Sequence, residues 1–337
     1  MMLPQPGRLL VRVVPQWGES LQGYLMRAAE ANALSGAGRI LSNVAGGARY
    51  PTNTKRAVAL ADYCRCDVFE FMQLFGIEGR TSDGMRQWQF AGEVVTKDYF
   101  VRPSQPSVCP RCLAESAYLR GQWEMTFFVA CPFHNLWLIQ HCPGCRKALS
   151  PHRARLDRCN CGFSFIEACA EVAFPEAVWA AQLIQRFISD RTGYSVEPRV
   201  TTPSTTDRLA ALGLDALFKT FWFFGQYLRE EEFVPVGRAR PGAREVVGII
   251  RKTIEVLDGW PGSFLQRLEE CMQGLDPERT HRPEKALMPL RNYLEQELND
   301  DGHTFIHAAY DRFVRDAWRN RAYDTYRKTR IPQMELF

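Results

Sequence analysis

The sequence predicts a mostly α-helical protein with small β zinc-ribbon modules, in which helix-turn-helix units flank a tandem zinc-binding domain. Three observations carry this expectation. Eight of the 11 cysteines and three of the six histidines fall between residues 109 and 169. The segments on either side repeat apolar residues at helical spacing. The stretches that separate the cysteine pairs are short, rich in aromatic and β-branched residues, and strand-like.

The cysteine block comes as four pairs: Cys109-Pro-Arg-Cys112, Cys131-Pro-Phe-His134, Cys142-Pro-Gly-Cys145 and Cys159-Asn-Cys161. A tight turn aims two soft donors at one point, and tetrahedral zinc takes four. Taken two by two, the pairs give a site of Cys109, Cys112, Cys131 and His134, and a second of Cys142, Cys145, Cys159 and Cys161. Four protein ligands leave no position for water, which is the pattern of two structural zinc ions. Two substitutions of register stay open: His141 in place of His134, and Cys169 in place of Cys161. Pro after Cys109, Cys131 and Cys142 suggests one turn used three times. A disulfide framework suits a short secreted chain, and no signal peptide begins this one.

Composition bounds the rest. With 337 residues, 46% hydrophobic, two to three domains can each bury a core. A net charge of +4 is mild, unlike the excess of a polybasic binder. No uninterrupted apolar run reaches the 18 residues of a membrane span. Thiol ligands must stay reduced, so a cytoplasmic, nucleoid-associated location is expected.

In order along the chain, four segments are expected. Residues 1–104 form an N-terminal helical domain. Pro4, Pro6 and Pro15 keep its first 19 residues extended, and Ser20 caps a helix with Leu21, Leu25, Ala28 and Ala29 on one face. Gly36, Gly38, Gly46 and Gly47 mark a loop. Thr54 opens a second helix and Asp67-Val-Phe-Glu70 a third; joined by Cys64-Arg-Cys66, they read as a helix-turn-helix. Trp88 to Val101 is β-like. Residues 105–166 are the tandem zinc module, with short strands at Gly121–Phe127 and Leu136–Ile139. Residues 167–237 are a helical connector: a helix over 175–191, a linker over 201–206 and a helical pair over 207–232. Residues 238–337 are a helical, helix-turn-helix-like unit with helices at 244–257, from a capping box at Ser263-Phe-Leu-Gln266, at 283–299 and at 303–323. His303 and His307 lack the intervening Glu of a zinc protease and read as ordinary helix residues.

The Trp17-Gly-Glu19-Ser20-Leu21 and Arg27-Ala-Ala-Glu-Ala-Asn32 stretches, Trp123, Cys131-Pro-Phe-His134, Leu138, Cys142-Pro-Gly-Cys145 and Trp260-Pro261 together resemble the TniQ/TnsD family. This family supplies the target-selection subunits of transposons related to the Tn-seven type. The resemblance implies a non-catalytic adaptor, not an enzyme. Such a protein recruits an AAA+ ATPase regulator (TnsC/TniB-like) and finds its site by docking on an RNA-guided CRISPR effector or by reading target DNA. It requires no membrane, and a homodimer is left open.

A helix that reads the major groove presents Arg, Lys, Asn or Gln to base edges. The helix after Cys66 presents Asp67 and Glu70, and its C-terminal counterpart sets Arg267 against Glu269 and Glu270. Protein docking on an RNA-guided partner is therefore the preferred expectation. A sequence-specific DNA-binding target selector is the alternative, and an unrelated zinc-dependent enzyme the second. Non-specific phosphate contact is expected from Arg312, Arg315, Arg319, Arg327 and Lys328, within a stretch (312–330) of seven basic and two acidic residues. Trp17, a large aromatic on an extended arm, is the candidate anchor for the ATPase.

Overall fold

The computed structural model describes residues 7–45, 52–80, 82, 84–102, 105–192, 205–228, 241–273 and 287–330. The chain divides into two compact units, Met1–Thr201 with Arg238–Val247, and Thr202–Gly237 with Gly248–Phe337. About half of the described chain is helical, with small sheets.

In the first unit, α1 (Leu21–Ala31) starts where the Ser20 hydroxyl accepts from the Gly23 N–H at 3.0 Å. Leu21, Tyr24, Leu25, Ala28 and Ala29 are buried on it. Gly23 is required by close approach, since a Cβ there would lie 2.7 Å from the Leu119 Cβ. The arm before α1 is tied down by side chains of that helix. Asn32 Nδ2 donates to the Val11 carbonyl at 2.9 Å and its Oδ1 accepts from the Val11 N–H at 2.8 Å. The Tyr24 hydroxyl donates to the Val13 carbonyl at 3.1 Å.

The loop expected around Gly36 and Gly38 is instead partly a helix, α2 (Ala37–Ala45). Gly36, at φ 139°, makes the turn. Gly38 is carried within the helix, because Ala37, Ile40 and Leu41 bury one face fully; burial outweighs the cost of about 1 kcal/mol for a helical glycine. Gly46 and Gly47 lie outside the described residues. After β1 (Thr52–Asn53), α3 (Thr54–Cys64) is capped by Asn53 and ends on Arg65, at φ 57°. Asp67 caps α4 (Val68–Met72) through the N–H groups of Phe69 and Glu70. Cys64 and Cys66 are buried at this turn, and burial pushes the Cys64 thiol up to about 12.

α4 stops after five residues, and the chain enters a four-stranded sheet ordered β1-β2-β3-β4. β2 (Ile77–Arg80) runs parallel to β1, with Thr52 opposite Ile77. β3 (Arg86–Phe90) and β4 (Glu93–Val95) complete it antiparallel, with Trp88 opposite Glu78 and Val95. Ala91 and Gly92, at φ 49° and 90°, form the two-residue turn between β3 and β4. Trp88, Phe90 and Val95 bury its inner face.

The strand expected at Gly121–Phe127 is not formed; Gly121–Glu124 is a 3₁₀ turn. Its backbone bonds locally, the Trp123 N–H to the Arg120 carbonyl at 3.1 Å and the Met125 N–H to the Gln122 carbonyl at 3.0 Å, so these groups do not enter a ladder. Gly121 sits against Phe75, where a Cβ would approach the Phe75 Cβ to 2.6 Å. Within this turn the buried Glu124 carboxyl is raised well above the ordinary value by desolvation, with a Ser20 hydrogen bond pulling the other way. A carboxyl raised on folding gives its full stability only below its unfolded value of about 4.3, and that stability is lost as pH rises through the folded value. Glu124→Gln keeps the shape and removes this loss. It should raise the Tm more at pH 8 than at pH 5, by about 2–4 °C per kcal/mol recovered. Thermal melts at the two pH values check it, and a Tm that falls more at pH 8 than at pH 5 refutes it.

Beyond the cysteine-rich segment, Pro175–Thr192 forms a helix, matching the expected span. In the second unit, Thr205–Ala210 and Leu214–Trp222 are helical, and Phe223–Tyr227 continues as one π turn. The helix therefore begins inside the expected 201–206 linker, whose first four residues lie outside the described residues. At the π turn, Gly225 lets the backbone touch: a Cβ there would sit 2.6 Å from the Ile249 Cα. Ala243–Asp258 is the amphipathic helix anticipated at 244–257.

The next helix, Gly262–Gln273, includes Ser263, so Ser263 does not cap it as expected. Ser263 N–H already donates to the Gly259 carbonyl at 2.9 Å, and Gln266 reaches forward to Glu270 instead of back. Trp260 stacks on Phe264 with centroids 5.1 Å apart and meets Phe305 edge-on at 5.0 Å. The helix expected over 283–299 is described as Met288–Glu297, and residues 274–286 lie outside the described residues. A long last helix, Thr304–Arg330, buries Ile306, Tyr310 and Phe313. His303 is buried, hydrogen-bonded to the Thr220 hydroxyl and near the Ala216 carbonyl, both at 3.1 Å.

Candidate metal centres

The first donor group assembles on a short helix and a hairpin. Cys109 is the N-cap of α5 (Pro110–Glu115), with Pro110 in its first turn, and Cys112 follows one turn on. Cys131 ends β5 (Ala130–Cys131), which pairs antiparallel with β6 (Leu136–Trp137). His134 occupies the connection. The turn after Cys131 closes on Asn135, at φ 55°, whose N–H donates to the Cys131 carbonyl at 2.9 Å. Cys142 repeats that turn: Arg146, at φ 60°, donates to the Cys142 carbonyl at 2.7 Å. One turn is thus used twice, not three times. Pro at the position after Cys109 also suits a helix start, and there the helix forms.

Cys112 and Cys131 sulfurs lie 3.5 Å apart. The His134 Nδ1 is 3.5 Å from Cys109 and 3.4 Å from Cys112 and Cys131. In the second group, Cys142 and Cys161 are 3.6 Å apart and Cys145 and Cys159 are 3.8 Å apart. Within each group all donor atoms fall within 4.8 Å of one another. Tetrahedral bonds of about 2.3 Å to sulfur require donors roughly 3.8 Å apart, slightly less with nitrogen. A disulfide requires about 2 Å. The spacing fits a central cation, and both clusters could bind metal ions. His141 and Cys169, the two alternatives of register, are exposed and belong to neither group.

Within each group the thiols are driven apart: Cys112 and Cys131 are raised by their hydrogen bonds to Cys109, and Cys159 is raised by burial, while Cys109 and Cys161 are lowered. Hydrogen bonds from Cys112 and Cys131 pull the Cys109 thiol far down, against the burial that opposes them. At Cys161 the backbone N–H of Phe163 lowers the thiol to about 7. The two groups differ in depth. Cys109, Cys112 and Cys131 are fully buried, whereas Cys145 and Cys159 are half-buried and Cys161 is exposed.

Beside the first group lies a cleft of about 620 Å³, lined by Trp17, Tyr118, Arg120, Phe133, His134 and Gln185 among others. Trp17 is 38% exposed. Arg120 packs its guanidinium over Tyr118, Trp123 and Phe133, at 5.1, 5.3 and 5.9 Å from the ring centroids. The turn bearing Trp17 is held by Glu19, which is fully buried. Arg27 Nε donates to Glu19 Oε1 at 2.7 Å and its Nη2 to Oε2, and the Gln16 N–H donates to Oε2 at 2.9 Å. The role of Glu19, Arg27 and Arg120 was not legible in the sequence, because their partners come from other turns. In the second unit, Arg312, Arg315 and Arg319 are exposed on the last helix, and Arg312 lies 3.7 Å from Asp316. Arg327 and Lys328 are on the same helix, with side chains outside the described residues.

Two clusters able to bind metal ions lie in the first unit of a chain that is about half helical. Residues 10–138 match the TniQ family model. That stretch includes the Trp17 turn, Glu19, Arg27 and the whole first donor group; the second group lies beyond it. No curated protein matches the chain. Among the described residues no helix is long and apolar enough to cross a membrane.

Proposed function

We propose that the protein is a non-catalytic adaptor that selects the target site for transposition and recruits the AAA+ regulator, docking on an RNA-guided CRISPR effector. The match of residues 10–138 to the TniQ family carries this reading. Two structural zinc ions hold it together, ligated by Cys109, Cys112, Cys131 and His134, and by Cys142, Cys145, Cys159 and Cys161. The donor sets support that assignment, since each fills four positions and leaves none for a substrate or water. A zinc-dependent enzyme would need an open position.

The ATPase-facing surface is placed on residues 1–80, with Trp17 as anchor. Its exposure, and its place in the lining of a cleft shared with Tyr118 and Phe133, support that placement. The pair α3–α4 serves the same docking as a helix-turn-helix unit; its short second helix carries Glu70 and no base-reading side chain. The exposed Arg312, Arg315 and Arg319 support non-specific phosphate contact, whether the adaptor docks on an RNA-guided effector or reads target DNA itself.

Trp17→Ala should weaken co-purification with the AAA+ regulator about tenfold or more, since ~1.4 kcal/mol is one decade. Zinc content and Tm should be unchanged. Normal capture of the ATPase by the variant moves the anchor elsewhere, and early melting makes Trp17 a core residue. Nanomolar binding of the unaltered protein to one duplex, but not to a scrambled one, favours the DNA-reading alternative.

A further inference from the structure

We infer that Glu115 is the positioning residue of the first metal centre, fixing which nitrogen of His134 faces the metal. The inference rests on the metal reading above and goes beyond it to a residue outside both donor sets. Three sulfurs surround His134 Nδ1 at 3.4–3.5 Å. A cation among them requires the lone pair at Nδ1 and places the imidazole proton on Nε2. That proton has one acceptor among the described residues, Glu115 Oε1, 2.8 Å from Nε2. A ligating imidazole whose other nitrogen donates to a carboxylate is locked in tautomer and ring orientation, and is a stronger base toward the metal.

Helical geometry puts Glu115 there. It is the last residue of α5, three positions after Cys112, so its side chain shares a face with that ligand. The Ser116 N–H donates to the Cys112 carbonyl at 2.9 Å and ends the helix at this point. The same turn therefore sets the sulfur of Cys112 and the carboxylate that orients His134. Glu115 is 61% exposed while His134 is 11% exposed, so the carboxylate needs no burial of its own and contributes nothing to the core. A bare surface ion pair at that exposure would contribute little; the effect comes through the acceptor it offers to His134. The second group has four sulfurs and no imidazole, and no such dependence applies there.

The test uses the full-length protein, reduced, stripped and titrated with cobalt(II) alone, whose ligand-field bands differ between three-sulfur-one-nitrogen and four-sulfur sets. Glu115→Ala should weaken the three-sulfur-one-nitrogen site about 10–100-fold, and Glu115→Gln, which keeps an acceptor oxygen, markedly less. The four-sulfur site should be unchanged in both, and the Tm of the cobalt-loaded proteins should fall only as far as the weakened first site accounts for. An unchanged first site in Glu115→Ala overturns the inference, as does a Glu115→Gln as weak as Glu115→Ala, which would make charge and not the acceptor responsible. Equal weakening of both sites would show a general structural role and overturn it too. A wild-type protein that takes up no cobalt fails at the earlier step, the metal reading, which Glu115 does not enter.

Discussion

Stripping the metals from the reduced protein is expected to unfold the core of the first unit. Structural zinc contributes about 10–16 kcal/mol of apparent folding free energy in small zinc-finger peptides, against a whole-domain stability of roughly 5–15 kcal/mol. Elemental analysis should give about two zinc ions per chain, four protein donors to each. Cys109→Ser and Cys142→Ser should each lose one, with unequal consequences. Cys109, Cys112 and Cys131 are buried among Val108, Leu113, Val129 and Ala130. Loss of that centre strands buried thiols in the core, and Cys109→Ser should lose the cooperative melt. The second centre is shallower, with Cys161 exposed. Cys142→Ser should leave most of the melt and loosen residues around 140–165, read as faster hydrogen exchange there. A count of zero or one in chelator-free protein, or a Cys109→Ser that melts like the wild type, refutes this account.

Glu19→Ala should cost about 3 kcal/mol, near the lower end of what breaking a buried ion pair costs when one partner is removed. The lower end applies because the Arg27 side chain is 20% exposed and can recover some water. Burial raises the Glu19 carboxyl and Arg27 pulls it back, so the partners depend on each other. Urea unfolding of Glu19→Ala, Arg27→Met and the pair Glu19→Leu/Arg27→Met separates these contributions. The double variant should be more stable than Glu19→Ala, since an apolar pair leaves no orphaned charge. Because Arg27 also donates to the Val14 carbonyl at 2.9 Å, the single variant should loosen the Trp17 turn as well. A loss under about 1 kcal/mol, the range of a surface pair, would show that the pair does not hold the arm.

Spacing and local chemistry determined much of this protein from the sequence alone. Paired donors at short intervals already separated two groups of four, because a turn of two or three residues forces its ends together. Ser20, Asn53 and Asp67 cap helices through hydrogen bonds to residues two or three positions on, which a sequence displays directly. The stripe from Val246 to Leu257 likewise announced its helix, since 3.6-residue periodicity is local.

What tertiary structure alone decided involves partners far apart in the chain. The glycines from Gly36 to Gly47 read as a loop, yet burial of Ile40 and Leu41 made α2. Gly121–Glu124 looked strand-like, yet the segment packed against Phe75 and closed its backbone hydrogen bonds on itself as a 3₁₀ turn. Ser263 looked like a cap, yet the chain had already turned at Gly259. Glu19 met Arg27, Arg120 met three rings, and Glu115 met His134 only once separate segments were packed together. Local hydrogen bonds and periodicity are written in neighbouring residues, whereas burial and charge pairing belong to the folded whole.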